Sequence, residues 1–100
     1  MKPYAIDRYV IDVLLPDLVG HDRRPAAFLV YLALLCEADR RHAASVPISL
    51  QELATRTGLG KSTVQAAIRH LKQRGLIDPE HVATTSAPSR KVVRVWEQRD

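Results

Sequence analysis

The stretch 48–77 limits what this chain can fold into more than any other part of it. Ser49 is followed three residues later by Glu52, the Ser-x-x-Glu spacing that satisfies backbone N–H groups at a helix start. Leu50, Leu53 and Ala54 then share one face at helical spacing, and Gly58 stands where a helix end calls for a left-handed residue. The spacing predicts a short helix over 50–57. Gly60 takes the cap position of a second helix over 61–74, without a side-chain oxygen to contribute. Val64, Ala67, Ile68 and Leu71 fall on one apolar quadrant of that helix, and Ser62, Gln65, Ala66, Arg69 and Gln73 on the opposite side. Gly75 ends it, and Leu76 and Ile77 begin another buried element.

Charge is distributed unevenly along the chain. Residues 1–50 carry six basic and six acidic side chains, whereas residues 51–100 carry nine and five. Between Leu53 and Ile77 there is no acidic residue, yet Arg56, Lys61, Arg69, Lys72 and Arg74 all occur there. A single-sign patch of this kind attracts phosphates. The plainer reading is a solvated helix face with a chance excess of cations.

Upstream, residues 26–36 are apolar on every side, within a helix expected over about 24–41 with Asp22 as its cap and Pro25 in its first turn. A helix without a polar stripe is covered on both faces. One cover is the 50–74 pair; the other is the N-terminal segment or a second subunit. Glu37, Asp39, Arg40, Arg41 and His42 return the helix to solvent. Residues 1–24 are a lead-in. Tyr9, Ile11, Val13 and Leu15 alternate as in a strand, while Ile6, Val10, Val13 and Leu14 also fit a helix face. The extended reading is preferred up to Leu15, with a turn at Pro16, Asp17 and Leu18. Val46, Pro47 and Ile48 form a short edge strand. After Gly75 a hairpin is expected over 76–97. Its first arm is disturbed by Pro79, its turn lies at 86–89, and its second arm is the β-branched run 91–96.

Two helices across a glycine turn, a preceding apolar helix and a following hairpin resemble the winged helix-turn-helix regulators of bacteria. The resemblance covers about 25–97 and extends to GntR-like and replication-initiator winged-helix domains. It implies a mainly α fold with a small β wing: one domain, 1–100, with a three-helix core and an antiparallel hairpin. It also implies that helix 61–74 enters the major groove of duplex DNA. Carried over by position, the DNA-binding set is Lys61, Ser62, Thr63, Gln65, Arg69, Lys72, Arg90 and Lys91. Arg69 has the donor geometry for guanine and Gln65 that for adenine. Lys61, Lys72 and the wing-tip residues Arg90 and Lys91 suit phosphates. The small Ala66 lets the helix backbone approach closely, and His70 is placed on the helix surface.

Other chemistry finds little support. Gly58, Gly60, Lys61 and Ser62 imitate the end of a phosphate-binding loop, but Thr55 stands where that loop needs glycine and a helix precedes it rather than a strand. His21, His42, His70, His81 and the single Cys36 have no metal-ligand spacing, so neither metal nor other cofactor is expected. Cys36 reads as a small core residue. No nucleophile–base set stands out, and the expectation is a protein without enzymatic activity. No signal peptide opens the chain and no apolar run is long enough for a membrane span. A cytoplasmic DNA-binding protein, a regulator of transcription, is the expected function, with no small-molecule ligand. A homodimer through helix 24–41 and the N-terminal segment is its expected assembly. Two other readings stay open: a winged-helix protein–protein docking module, and the DNA-binding domain of a replication initiator or plasmid-maintenance protein.

Overall fold

A computed structural model describes residues 1–79 and 88–97 of the 100-residue chain. Helix α1 spans Pro25–Arg41, α2 Leu50–Thr57 and α3 Lys61–Gln73. These are the three helices expected from the sequence, each end within one residue. Strands β1, Ser45–Pro47, and β2, Ser89–Lys91, pair antiparallel, with Ser45 opposite Lys91, Val46 opposite Arg90 and Pro47 opposite Ser89.

The local chemistry at the turn is as the residues dictate. Ser49 Oγ accepts from the Glu52 amide at 3.0 Å. The Glu52 carboxylate does not close the reciprocal half of the box; it accepts from Arg56 Nη2 at 2.9 Å. Gly58 has φ +77°, where a side chain would be strained, and its N–H closes α2 onto the Ala54 carbonyl. Gly60 caps α3 in extended conformation without a side-chain bond.

The N-terminal segment departs from the strand expectation. Residues 8–21 are helical, with π-helical turns over Val10–Leu14 and Pro16–His21. Asp7 opens this element, its carboxylate accepting from the Tyr9 amide at 2.9 Å. Val10, Leu14 and Leu18 are buried, whereas Ile11 and Val13, which produced the apparent alternation, are exposed. The spacing of four is the one that packs. Pro16 has no N–H and its ring crowds the carbonyl four residues back, and the wider i→i+5 turn accommodates both. The buried side of this segment lies on α1.

Helix α1 is therefore covered twice, by α2 and α3 on one side and by the π-helical segment on another. Val30, Tyr31 and Leu34 have no exposure at all. Phe28, Leu35, Leu53, Val64, Ile68 and Leu71 join one continuous core, while Leu32 is only half-buried at its margin. Leu29 stays 43 % exposed. Two expectations about the ends of α1 fail. Asp22 does not cap it; the capping residue is Arg24, without a side-chain bond. Glu37 is not in solvent but buried, held by Arg40, Arg41 and Arg56. A carboxylate three and four residues before two arginines, and facing a third on α2, is neutralised where it sits.

The wing differs in detail from the expected hairpin. Ile77 is bridged antiparallel to Val92, and Asp78 N–H donates to the Lys91 carbonyl at 3.0 Å. Pairing on the second arm stops near Val93, whose carbonyl accepts from the buried Tyr31 hydroxyl at 2.8 Å. Val95–Glu97 then turns as a 3₁₀ helix and brings the Trp96 ring 5.8 Å from that of Tyr9. The β-branched run is thus strand only in its first half, because Trp96 has a partner on the N-terminal segment. The rest of the expected first arm and most of its turn, residues 80–87, lie outside the described residues.

Candidate nucleic-acid interface

The apolar quadrant of α3 is fixed in the core by Val64, Ala67, Ile68 and Leu71, which forces its other face outward. Lys61, Ser62, Thr63, Gln65 and Arg69 are exposed on that face, and Ala66 and Lys72 are half-buried. The two glycine-shaped ends of the α2–α3 turn leave the first turn of α3 clear, so its leading residues project from the molecule.

The structure brings together only part of the expected set. Gln65, Arg69, Lys72 and Arg90 border one cleft of about 400 Å³ between α3 and β2, with Leu50 and Ile68 as apolar lining. Lys61, Ser62 and Thr63 stand at the leading end of α3, outside this cleft. Arg90 and Lys91 part company, since neighbouring strand residues face opposite ways. Arg90 is not at an exposed tip: it is 7 % exposed, and its Nε donates to the Ile48 carbonyl at 3.1 Å. Lys91 is exposed, with Nζ 4.0 Å from Asp78.

Two arginines counted in the basic stretch are neutralised by acids from outside it. Arg56 Nη1 lies 2.6 Å from Glu37 Oε1. Arg74 pairs with Asp17 and, at 2.8 Å, with Asp22. The positive surface is accordingly narrower than the sequence indicates, with Lys61 and Arg69 exposed on α3.

Asp22 supplies the connection that sequence reading misses. Its carboxylate accepts from His70 Nε2 at 2.8 Å and Arg74 Nε at 2.8 Å, and lies 2.9 Å from His21 Nδ1. His21 and His70, with Arg74, hold its pKa down at about 2 despite the opposing effect of burial. His70 is therefore not a surface residue but a tie between the end of α3 and the lead-in. Contacts spanning 48 and 52 residues leave no periodic trace in a sequence. Burial raises the pKa of Glu37, but the three guanidiniums outweigh it and bring the group to about 2. Burial pushes the Cys36 thiol up, as suits an unreactive packing residue. Among the described residues, Asp17, His21 and Asp22 place possible ligand atoms within 4.8 Å of one another. Arg74 already engages both of those carboxylates, so the cluster is accounted for by ion pairing.

A three-helix core with a glycine turn between α2 and an outward-facing α3, and a small antiparallel sheet behind it, defines a helix-turn-helix with a β wing. The family model described as "Helix-turn-helix domain" matches residues 24–77, from the start of α1 to the strand residue that opens the wing, and the chain belongs to that family. Helix-turn-helix domains are DNA-binding modules. No curated protein and no solved structure matches the chain. No helix among the described residues is long and apolar enough to cross a membrane.

Proposed function

We propose that this domain binds duplex DNA in a sequence-specific manner and regulates transcription, with α3 lying in the major groove. The observation that carries this reading is the exposed face of α3. Lys61, Ser62, Thr63, Gln65 and Arg69 project from it, and none is paired with a carboxylate among the described residues. Ser62, Thr63 and Gln65 at the leading end supply donors and acceptors for base edges. Lys61 is the cation placed to hold the adjacent backbone. Lys91, on the outer side of β2, reaches flanking phosphate. Such a protein acts where DNA is, in the cytoplasm of a bacterial cell.

Binding of mixed-sequence and selected duplexes, measured by fluorescence anisotropy at two salt concentrations, tests this. Salt-sensitive binding with discrimination between sequences is expected. Absence of any duplex binding at low ionic strength would overturn the reading in favour of a protein–protein docking module.

The exposed Leu29, with half-buried Ala26, Ala33 and Cys36 along α1, favours a second copy as partner. Two copies also match the way helix-turn-helix proteins read paired half-sites. Sedimentation equilibrium should show a dimer, weakened by Leu29→Glu. A monomer at high micromolar concentration would remove this assembly without touching the DNA reading.

A further inference from the structure

Arg90 is the one buried cation of the described residues, and it has no counter-ion among them. Arg40, Arg41, Arg56 and Arg74 are all more exposed, yet each pairs with a carboxylate. A charge removed from water without an opposite charge is costly. Arg69 borders the same cleft. Arg90 Nε is occupied by the Ile48 carbonyl, which fixes the plane of the guanidinium. No buried polar side-chain atom of the described residues lacks a partner, so the two Nη groups keep some exposure, and Arg90 is one of the residues lining the cleft. Burial also lowers the pKa of Arg90.

A planar, pre-oriented fork with a second arginine beside it matches the geometry of a phosphate. We infer that the cleft between α3 and β2 seats one phosphate, with Arg90 holding it from the floor and Arg69 from the wall. The inference rests on the DNA reading to the extent that the phosphate is one of the duplex backbone; the same chemistry would also take free phosphate. It moves Arg69 from the guanine contact expected by its place on the helix to a backbone contact. It also makes the wing a fixed half of the interface, since β2 delivers Arg90 from the far side of α3.

Two measurements on the full 100-residue chain separate the possibilities. Inorganic phosphate is titrated against chloride at matched ionic strength, following the arginine Nε–H resonances. Duplex affinity is then measured across a salt series for the wild type, Arg69→Ala and Arg90→Gln. Arg69 is exposed, so Arg69→Ala keeps the thermal midpoint and remains informative even if Arg90→Gln fails to fold. The expected result is a phosphate-specific shift of the Arg90 resonance that Arg69→Ala weakens. Loss of the contact should also lower the logarithmic salt slope by about 0.9, equally on every sequence. If the wild type binds no duplex but keeps the phosphate-specific shift, the cleft stands as a free-phosphate site and the DNA reading falls. A loss confined to one base position with the slope unchanged would make Arg69 a base reader and overturn the inference. So would a chain that shows neither the shift nor a change of slope.

Discussion

Arg56 of α2 donates through Nη1 to Glu37 of α1 at 2.6 Å, so that the one buried carboxylate among the described residues and an arginine 19 residues away neutralise each other. Arg40 and Arg41, from the last turn of α1, complete the ring around Glu37. The pair joins the helix that carries the core to the first helix of the DNA-binding motif, and it fixes the angle at which α2 presents the turn. It also removes Arg56 from the surface available to phosphate.

Acid should undo this arrangement in a definite window. Glu37 ordinarily titrates near 4.5 and is held at about 2 in the fold. Asp22, ordinarily near 3.8, is likewise held at about 2. A depressed carboxylate contributes stability above its unfolded pKa and loses it as pH falls through the folded value. Both contributions are thus complete above about pH 5 and gone by about pH 1. Glu37→Gln should cost about 1–3 kcal/mol at pH 7, because three guanidiniums lose their shared carboxylate but stay partly solvated. Its stability should also vary less with pH between 5 and 2, as followed by urea unfolding monitored by circular dichroism. An unchanged pH profile would show that Glu37 is not held low.

The core makes a simpler demand. Leu71 has no exposure and sits on the face of α3 that packs against α1. Leu71→Ala should cost about 2–5 kcal/mol, the range for buried leucines, with the spread set by how far the site collapses. A thermal midpoint equal to that of the wild type would mean that the buried face of α3 is not the one described.

Those parts were legible because their signals are local. Ser49, Glu52, Gly58 and the four-residue apolar set of α3 act within a few residues of themselves, and the helices follow. In the N-terminal segment Tyr9, Ile11, Val13 and Leu15 imitate a strand; the decisive residues, Val10, Leu14 and Leu18, reveal their spacing only against α1. The candidate site was legible on α3 and illegible beside it. Nothing in the order of residues says that Asp22 meets His70 and Arg74, or that Arg90 faces inward while Lys91 faces out. Charge counted along a chain overstates charge on a surface whenever acids from distant segments return to it.

Gly60 offers a test of how much the start of α3 lacks. It caps the helix at φ −70° and ψ 153°, a conformation open to any residue, and a side chain there would meet nothing closer than Thr63 Oγ1 at 3.9 Å. Serine would supply the missing oxygen to the free N–H groups of the first turn. Gly60→Ser should stabilise by about a few tenths of a kcal/mol, seen as a small rise in Tm. A fall in Tm would mean that the cap needs glycine for a reason other than its backbone angles.

Two substitutions at the leading end of α3 test the proposed base and backbone contacts. Gln65 and Lys61 are both exposed, one turn apart on the same face. Gln65 presents a donor and an acceptor side by side, the pattern that matches adenine in the major groove. Gln65→Ala should weaken binding to a selected duplex by about 1–3 kcal/mol and relax preference at one base position, with the salt slope unchanged. Lys61 has charge but no such pattern. Lys61→Ala should weaken all duplexes alike and lower the slope by about one. Competition binding against a randomised duplex pool reads both effects together. If α3 lay along the backbone instead of in the groove, Gln65→Ala would shift every sequence by the same small factor. That outcome, alongside a uniform loss for Lys61→Ala, would leave a cationic helix that holds DNA without reading it.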